Sequence, residues 1–180
     1  MAVLLPVTAA AQMPAGASTP TSPKSLAKDL LPASYATKVG FTKVVIKVTT
    51  SSKTGEKSCP NGAQEEFENA SGQSGLASEV LACTSSKAAA ALLSGVRSGT
   101  SATSATPPKQ LGSSAIERSS GSSTYDIYWQ RGKTLEVVAL NTNVPASTSS
   151  TNPTVAAPPI TSAQQKVLSK VAVEQDSLLR

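Results

Sequence analysis

The sequence lacks the side chain on which most acid–base and nucleophilic catalysis in proteins depends. No histidine occurs among its 180 residues. A serine or cysteine nucleophile activated by an imidazole is therefore excluded, and a catalytic metal site is hard to build. We predict that the chain has no catalytic residue, no bound metal and no cofactor.

Two short sequence words nevertheless match signatures of serine β-lactamases and penicillin-binding proteins. Ser25-Leu26-Ala27-Lys28 fits S-x-x-K, and Lys53-Thr54-Gly55 fits K-T-G. The third signature, S-D-N, is missing, and the two words lie too close together for the large enzyme fold that carries them. In a chain rich in Ser, Thr and Lys such matches arise by chance, so they predict no activity.

Phosphate-binding and carboxylate patterns are equally incomplete. Gly132-Lys133-Thr134 ends like a phosphate-binding P-loop, but Ile127 stands where the first glycine belongs and strand-like segments flank the word. The adjacent Glu65 and Glu66 would point to opposite sides of an extended chain, so they form no acid–base pair. The sequence therefore favours a protein that is not an enzyme.

The two cysteines favour a structural crosslink. Cys59 and Cys83 are the only cysteines, and their spacing is not the C-x-x-C of zinc and redox motifs. A disulfide between them would indicate an oxidising compartment and would stabilise a core built from small side chains. Two unrelated buried thiols are the alternative.

Most of the aromatic residues lie close together in one segment. Tyr125, Tyr128 and Trp129 fall within five residues of one another, and Arg131 follows them. Because Tyr and Trp combine apolar area with a polar group, this segment is a candidate ligand-binding surface. The alternative, which we favour, is that Trp129 and Tyr125 fill the core while Tyr128, on the opposite face, is the more exposed ring.

The composition limits the classes of partner that the chain is expected to bind. Hydrophobic residues make up 39% of the chain and charged residues 15%, a neutral, polar balance that suits the cell envelope. The net charge of +5 comes from basic residues scattered singly between Lys24 and Arg180. Without a basic cluster and interleaved aromatics we expect no nucleic-acid binding, and no apolar run is long enough for an integral membrane span.

The chain divides into a tether and one domain. Residues 1–21 read as a truncated signal-like leader, with a short apolar run and Ala9-Ala10-Ala11, followed by a flexible tether. The leader suggests either a true start further upstream or a disordered segment. Residues 22–180 are predicted to form a single α+β domain with mobile linkers near 98–110 and 143–160, rich in Ser, Thr and Pro.

Periodicity predicts an antiparallel sheet of about four to five strands packed against two or three helices, with one disulfide. A first helical segment is expected from Ser22, interrupted by Pro32 and resumed over 33–38, and a second helix is expected over 87–97. The last helix is predicted to be capped by Ser162 and Gln165 and to bury Val167, Leu168, Val171 and Leu178.

The sequence predicts three strand regions clearly and leaves one segment, 65–69, undecided between a strand and a turn. After Phe41 the residues Thr42, Val44, Ile46 and Val48 are predicted to share a buried face, residues 77–83 form a strand, and residues 124–130 and 134–140 form a hairpin around Gly132. A further short strand is expected within residues 111–118. Residues 58–62 read as a loop, while 65–69 could be a strand or a turn.

The order of these elements resembles small extracytoplasmic domains of actinobacteria. The resemblance rests on Leu30-Leu31, Val39-Gly40-Phe41, Val80-Leu81-Ala82-Cys83 before an Ala-rich helix, Leu111-Gly112, Tyr128-Trp129-Gln130-Arg131-Gly132 and a closing helix. Those domains include envelope lipoproteins and the external sensor domains of receptor serine/threonine kinases. This chain departs from them in having no lipobox cysteine after the leader and only one cysteine pair.

The resemblance implies an exported, cell-envelope or extracellular binding or sensor-like module without catalytic activity, and we expect it to be a monomer. Its ligand would be a small molecule, a lipid or an envelope component, held between the sheet and helix 87–97 or on the aromatic hairpin. A structural, antigen-like envelope protein is the alternative function.

Overall fold

In the computed structural model the described residues are 22–51, 57–98, 106–120, 122–142 and 157–178. The elements in chain order are α1 (Pro23–Leu26), α2 (Ala33–Lys38), β1 (Lys43–Ser51), β2 (Asn61–Glu68), β3 (Ser74–Ala82), α3 (Ser86–Ser98), a 3-10 turn (Lys109–Leu111), β4 (Ile116–Ser120), β5 (Thr124–Arg131), β6 (Thr134–Thr142) and α4 (Ser162–Ser177).

The strands form one antiparallel sheet in the order β1-β2-β3-β6-β5-β4. The predicted α+β class is confirmed. The expected element numbers were too low, because the described residues contain six strands and four α-helices. The undecided segment around Phe67 is a strand, β2, which begins at Asn61, inside the segment predicted to be a loop.

Helices cover both faces of the sheet. On one face α1, α2 and α4 pack over a core centred on Phe67, Trp129 and Leu168, which are 0–1% exposed. On the other face α3 places Leu93 against Ile116 and Leu135. The pleat of the strands explains this division, because successive residues of each strand point to opposite faces.

Strand β1 corrects one prediction. Val44, predicted to be buried, is 42% exposed, so the alternating residues of β1 do not form the buried face that was predicted. A register shift between Val44 and Ile46 sets Val44 opposite Phe67 but Ile46 opposite Glu66. The irregularity breaks the period of two, so Val44 and Ile46 no longer share a face.

The hairpin β5–β6 is confirmed, with Gly132 at φ +54° in its turn. The cap of the last helix is Thr161, one residue before the predicted cap Ser162. The hydroxyl of Thr161 accepts a hydrogen bond from the backbone N–H of Gln164, and the Gln164 side chain accepts one from the Thr161 N–H. Leu178, predicted to be buried, is 41% exposed because it lies beyond the last turn packed on the sheet.

Several predictions fall wholly or partly outside the described residues. These are the leader and tether over 1–21, the K-T-G word at 53–55, and most of the linkers near 98–110 and 143–160. Within the described residues, no helix combines the length and apolarity required to cross a bilayer.

Candidate functional site

The predicted disulfide is present. Cys59 lies just before β2 and Cys83 just after β3, where these two strands pair at Asn61 and Ala82. Both sulfurs are buried under Ala89 of α3. The bridge therefore fastens neighbouring strand ends and leaves no thiol for chemistry.

The aromatic hairpin does not form one surface. Tyr125 and Trp129 are 3% and 0% exposed and belong to the core beneath α4. The Tyr125 hydroxyl donates a hydrogen bond of 2.8 Å to Glu117, and burial, followed by this contact with Glu117, raises the pKa of Tyr125. These rings stabilise the domain from inside.

Tyr128 faces the opposite side of the sheet, where it is half-buried. Its hydroxyl donates to Asp126 Oδ2 over 3.3 Å, and the Arg118 guanidinium lies 5.2 Å from the centre of its ring. Burial first, then the Asp126 carboxylate, raise the pKa of Tyr128 to about 12. Arg131, on the face of Trp129, binds the carboxylate of Asp176 in α4 through Nε and Nη2. The structure therefore does not bring together the four residues predicted to bind ligand.

The space between the sheet and α3 is small. A hollow of about 90 Å³ lies there, bordered by Leu93, Arg97, Ile116 and Gln130. Small-molecule sites are commonly about 300 to 1,000 Å³. This hollow is one of the two ligand positions predicted from the sequence, and it has room for only a few water molecules.

Larger hollows lie on the other face, along the line where α2 runs beside α4, which we call the seam. One measures about 370 Å³ and lies between Tyr35, the 3-10 turn and the α4 residues Lys170, Val173 and Glu174. The second measures about 270 Å³ and lies between Val39, Phe41, Leu140, Asn69, Gln164 and Val167. The two hollows beside α4 are therefore larger than the one beside α3.

The seam combines an apolar floor with a polar rim. Phe41 and Leu140 are buried core residues at the floor, and Tyr35, Val39, Val167 and Val173 pack partly against the same core. Gly40 turns the chain at φ +99° between α2 and β1, a conformation that a residue with a Cβ rarely adopts, and so brings Val39 and Phe41 to the same hollow.

The Tyr35 ring is the most distinctive group at the seam. Lys38 Nζ lies 5.7 Å from the centre of the ring. Burial, followed by the nearby Glu174 carboxylate, raises the pKa of Tyr35, so its hydroxyl stays a neutral hydrogen-bond donor at physiological pH. An aromatic ring between a cation and a carboxylate can offer a ligand both a stacking face and directed hydrogen bonds.

A buried polar network lies beneath the seam. The N–H of Leu31 donates to Ser78 Oγ over 3.0 Å, Ser78 Oγ donates to Gln175 Oε1 over 2.7 Å, and Gln175 Nε2 donates to Glu136 Oε2 over 3.1 Å. Ser78, Glu136 and Gln175 are each 0% exposed. The network joins the α1–α2 segment, the sheet and α4 through side chains that water does not reach.

Glu136 is the unusual member of this network. Burial raises its pKa to about 8, and the Asp29 and Asp176 carboxylates act in the same direction, while the hydrogen bond from Gln175 opposes them. Glu136 Oε1 and the indole Nε1 of Trp129, its cross-strand partner, are buried without a hydrogen-bond partner among the described residues. Sequence reasoning missed this cluster, although polar Glu136, Gln175 and Asp176 within apolar stripes were a usable signal.

No group of three or more Asp, Glu, Cys or His side chains within the described ranges is arranged to hold a metal ion. The chain matches no known protein family, and no curated protein or solved structure shows significant similarity to it.

Proposed function

We propose that the chain is an exported, non-catalytic binding module of the cell envelope that holds a small amphipathic ligand in the seam between α2 and α4. The observation that carries the proposal is the hollow of about 270 Å³ with Phe41 and Leu140 at its floor, together with a second, more polar hollow of about 370 Å³ further along α4. The larger hollow is within the range of about 300 to 1,000 Å³ that is common for small-molecule sites, and the smaller one lies just below it.

The chemistry of the seam defines the ligand class. An apolar portion would lie against Phe41, Leu140 and Val167, where it removes hydrocarbon surface from water. A polar portion would meet the Lys170 ammonium and the Tyr35 hydroxyl at the rim. A ligand with both parts, such as a lipid fragment or an aromatic acid, fits this division better than a sugar or a nucleotide.

The disulfide supports the exported location. A bond between Cys59 and Cys83 persists in oxidising compartments such as the extracytoplasmic space. The resemblance in element order to actinobacterial envelope domains is the second support, and it implies binding or sensing without catalysis.

A dye-binding experiment tests the proposal. 1-Anilinonaphthalene-8-sulfonate carries fused rings and one anionic group, and its fluorescence rises in apolar sites. We expect saturable binding to the folded protein and about tenfold weaker binding to Val167→Phe, whose larger side chain fills the hollow beside Phe41.

The matched control is Ser94→Phe, which adds the same ring at an exposed position beside the small hollow of α3. Equal weakening by both variants, or no saturable binding to wild type, would contradict a site at the seam. Native mass spectrometry of protein purified from its own source then identifies the natural ligand.

A further inference from the structure

Two buried side-chain contacts anchor the helix that lines the seam. Gln175 and Asp176 are consecutive residues near the end of α4, and they point into different contacts. Gln175 lies between Ser78 of β3 and Glu136 of β6, whereas Asp176 binds Arg131 of β5. Because α4 also contributes Val167 and Lys170 to the hollows, these anchors hold the wall of the seam in place.

The surroundings of Glu136 favour its neutral form on geometry alone. On β3 it meets the uncharged Ser78 network, and on β5 its cross-strand neighbour is the Trp129 indole. Arg131, the nearby cation on β5, has Nε and Nη2 engaged by Asp176. A fully buried carboxylate without its own cation would be costly, whereas a neutral carboxyl group is tolerated.

The remaining charged neighbours act in the same direction. Asp29, in the α1–α2 segment, and Asp176, on α4, both disfavour a negative charge on Glu136. Burial raises the pKa of Asp29 itself, and the adjacent Lys28 opposes that shift. On β6 the Thr134 hydroxyl donates to the carbonyl of Arg131 over 2.9 Å, and its hydrogen bond with Glu136, like that of Gln175, lowers the pKa of Glu136 and so opposes the effect of burial. Each element around Glu136 therefore presents a neutral group, an engaged cation or another carboxyl.

We infer that Glu136 is a proton-operated latch for α4, which holds the helix on the sheet while its carboxyl is neutral and loosens the helix when the carboxyl ionises. An ionised Glu136 must gain water, and the end of α4 is the element that can admit it, since Ser177 and Leu178 just beyond Gln175 are exposed. Its consequence for ligand binding rests on the proposed function of the seam. Alkaline conditions would then release ligand.

The only tryptophan of the chain reports on this latch. Trp129 lies directly opposite Glu136 in the sheet, so ionisation beside its indole should change its fluorescence. We expect a single titration of the wild-type emission with a midpoint near the Glu136 pKa of about 8. Glu136→Gln, which keeps the shape but cannot ionise, should abolish it, while Glu66→Gln on the opposite face should retain it.

Hydrogen exchange locates the structural response. Between about pH 6 and about pH 9.5, protection of the α4 amides should fall about tenfold relative to α3, and Glu136→Gln should remove this difference. The comparison with α3 cancels the intrinsic acceleration of exchange by hydroxide. The same loss of protection in α3, or an unchanged α4, overturns the latch.

Titration of the tryptophan fluorescence decides the outcome independently of any ligand. An emission change that persists in Glu136→Gln, or its absence in wild type, overturns the inference even if dye binds the seam. Conversely, failure of wild type to bind 1-anilinonaphthalene-8-sulfonate contradicts the proposed function while leaving the fluorescence and exchange results to decide the latch. If both hold, dye affinity should fall above about pH 8 in wild type but not in Glu136→Gln.

Discussion

Replacing Glu136 by glutamine should make the domain more stable, and the gain should depend on pH. Glu136 is 0% exposed, and burial raises its pKa from 4.5 in a model peptide to about 8. Glutamine has nearly the same shape, and its carbonyl can accept the hydrogen bond that Gln175 Nε2 gives to Glu136 Oε2. The substitution therefore removes ionisation while keeping the packing.

The size of the effect follows from proton linkage. Below pH 4.5 the carboxyl is neutral in both the folded and the unfolded chain, so the full stability is present. Above that pH the unfolded chain releases a proton that the folded chain retains, and stability falls by about 1.4 kcal/mol per pH unit. The fall ends near pH 8, where the folded form also ionises, and its total is on the order of 5 kcal/mol.

Urea denaturation followed by circular dichroism measures the difference. At about pH 4.5 the free energies of unfolding of wild type and Glu136→Gln should agree within about 1 kcal/mol, and near pH 8 the variant should be several kcal/mol more stable. Burial also raises the pKa values of Glu65 and Glu79, but these groups are present in both proteins and cancel in the difference. A difference that stays constant across this range would refute the assignment of a neutral, buried Glu136.

Three further predictions concern the contacts that fix the helices and strands. Arg131→Met should lower the free energy of unfolding by about 3 kcal/mol in urea denaturation, because the substitution removes the guanidinium partner of Asp176, whose side chain is 1% exposed. Equal stability of the variant and wild type would show that the ion pair contributes nothing. Thr161→Ala should cost about 1 kcal/mol in thermal denaturation, whereas Ser162→Ala should cost much less; the reverse order would place the cap where the sequence predicted it. Reduction of the disulfide should cost about 3 kcal/mol, read from the shift of the urea midpoint, and no shift would show that the bridge does not constrain the unfolded chain.

Local signals in the sequence predicted the elements that depend on local chemistry. The β5–β6 hairpin follows from alternating residues on both sides of Gly132, and α3 coincides with the helix predicted over 87–97, an Ala-rich stretch preceded by serines. Ser85 indeed accepts a hydrogen bond of 3.0 Å from the N–H of Ala88. Each feature is complete within one continuous segment, 124–142 for the hairpin and 85–98 for the helix with its cap, so no distant contact was needed to identify it.

The cap of α4 shows a limit of such signals. Thr161 with Gln164 and Ser162 with Gln165 both place a hydroxyl three residues before an amide, and the sequence alone does not separate them. In the structure the cap is Thr161, and Leu168, Val171 and Ala172 are buried against the sheet. The local pattern predicts the helix and its buried face, but it does not decide between two equal caps.

Strand register was beyond the reach of sequence periodicity. The shift between Val44 and Ile46 is set by pairing with β2, whose own sequence carries three glutamates and was left undecided. Sequence analysis did not identify the seam for a related reason. Tyr35 and Val167 are far apart in the chain, and only the packing of α2 and α4 on the same face of the sheet brings their hollows together.

The disulfide and the buried acid affect stability in opposite directions. The bridge acts mainly on the unfolded chain by restricting its conformations, and its contribution of about 3 kcal/mol does not depend on the protonation of Glu136. Glu136 acts through the folded chain, and its cost grows between pH 4.5 and about 8.

The core is made largely of small aliphatic side chains, so the cost of burying the Glu136 carboxyl is large relative to the free energy of unfolding. The crosslink between β2 and β3 lies at the sheet end where Ala82 pairs with Thr134, two residues from Glu136. It fastens β3, which carries Ser78, to β2, and Glu136 lies on β6, the other neighbour of β3. The element left free to respond to ionisation is then α4, which is held by side-chain contacts alone and forms the wall of the seam.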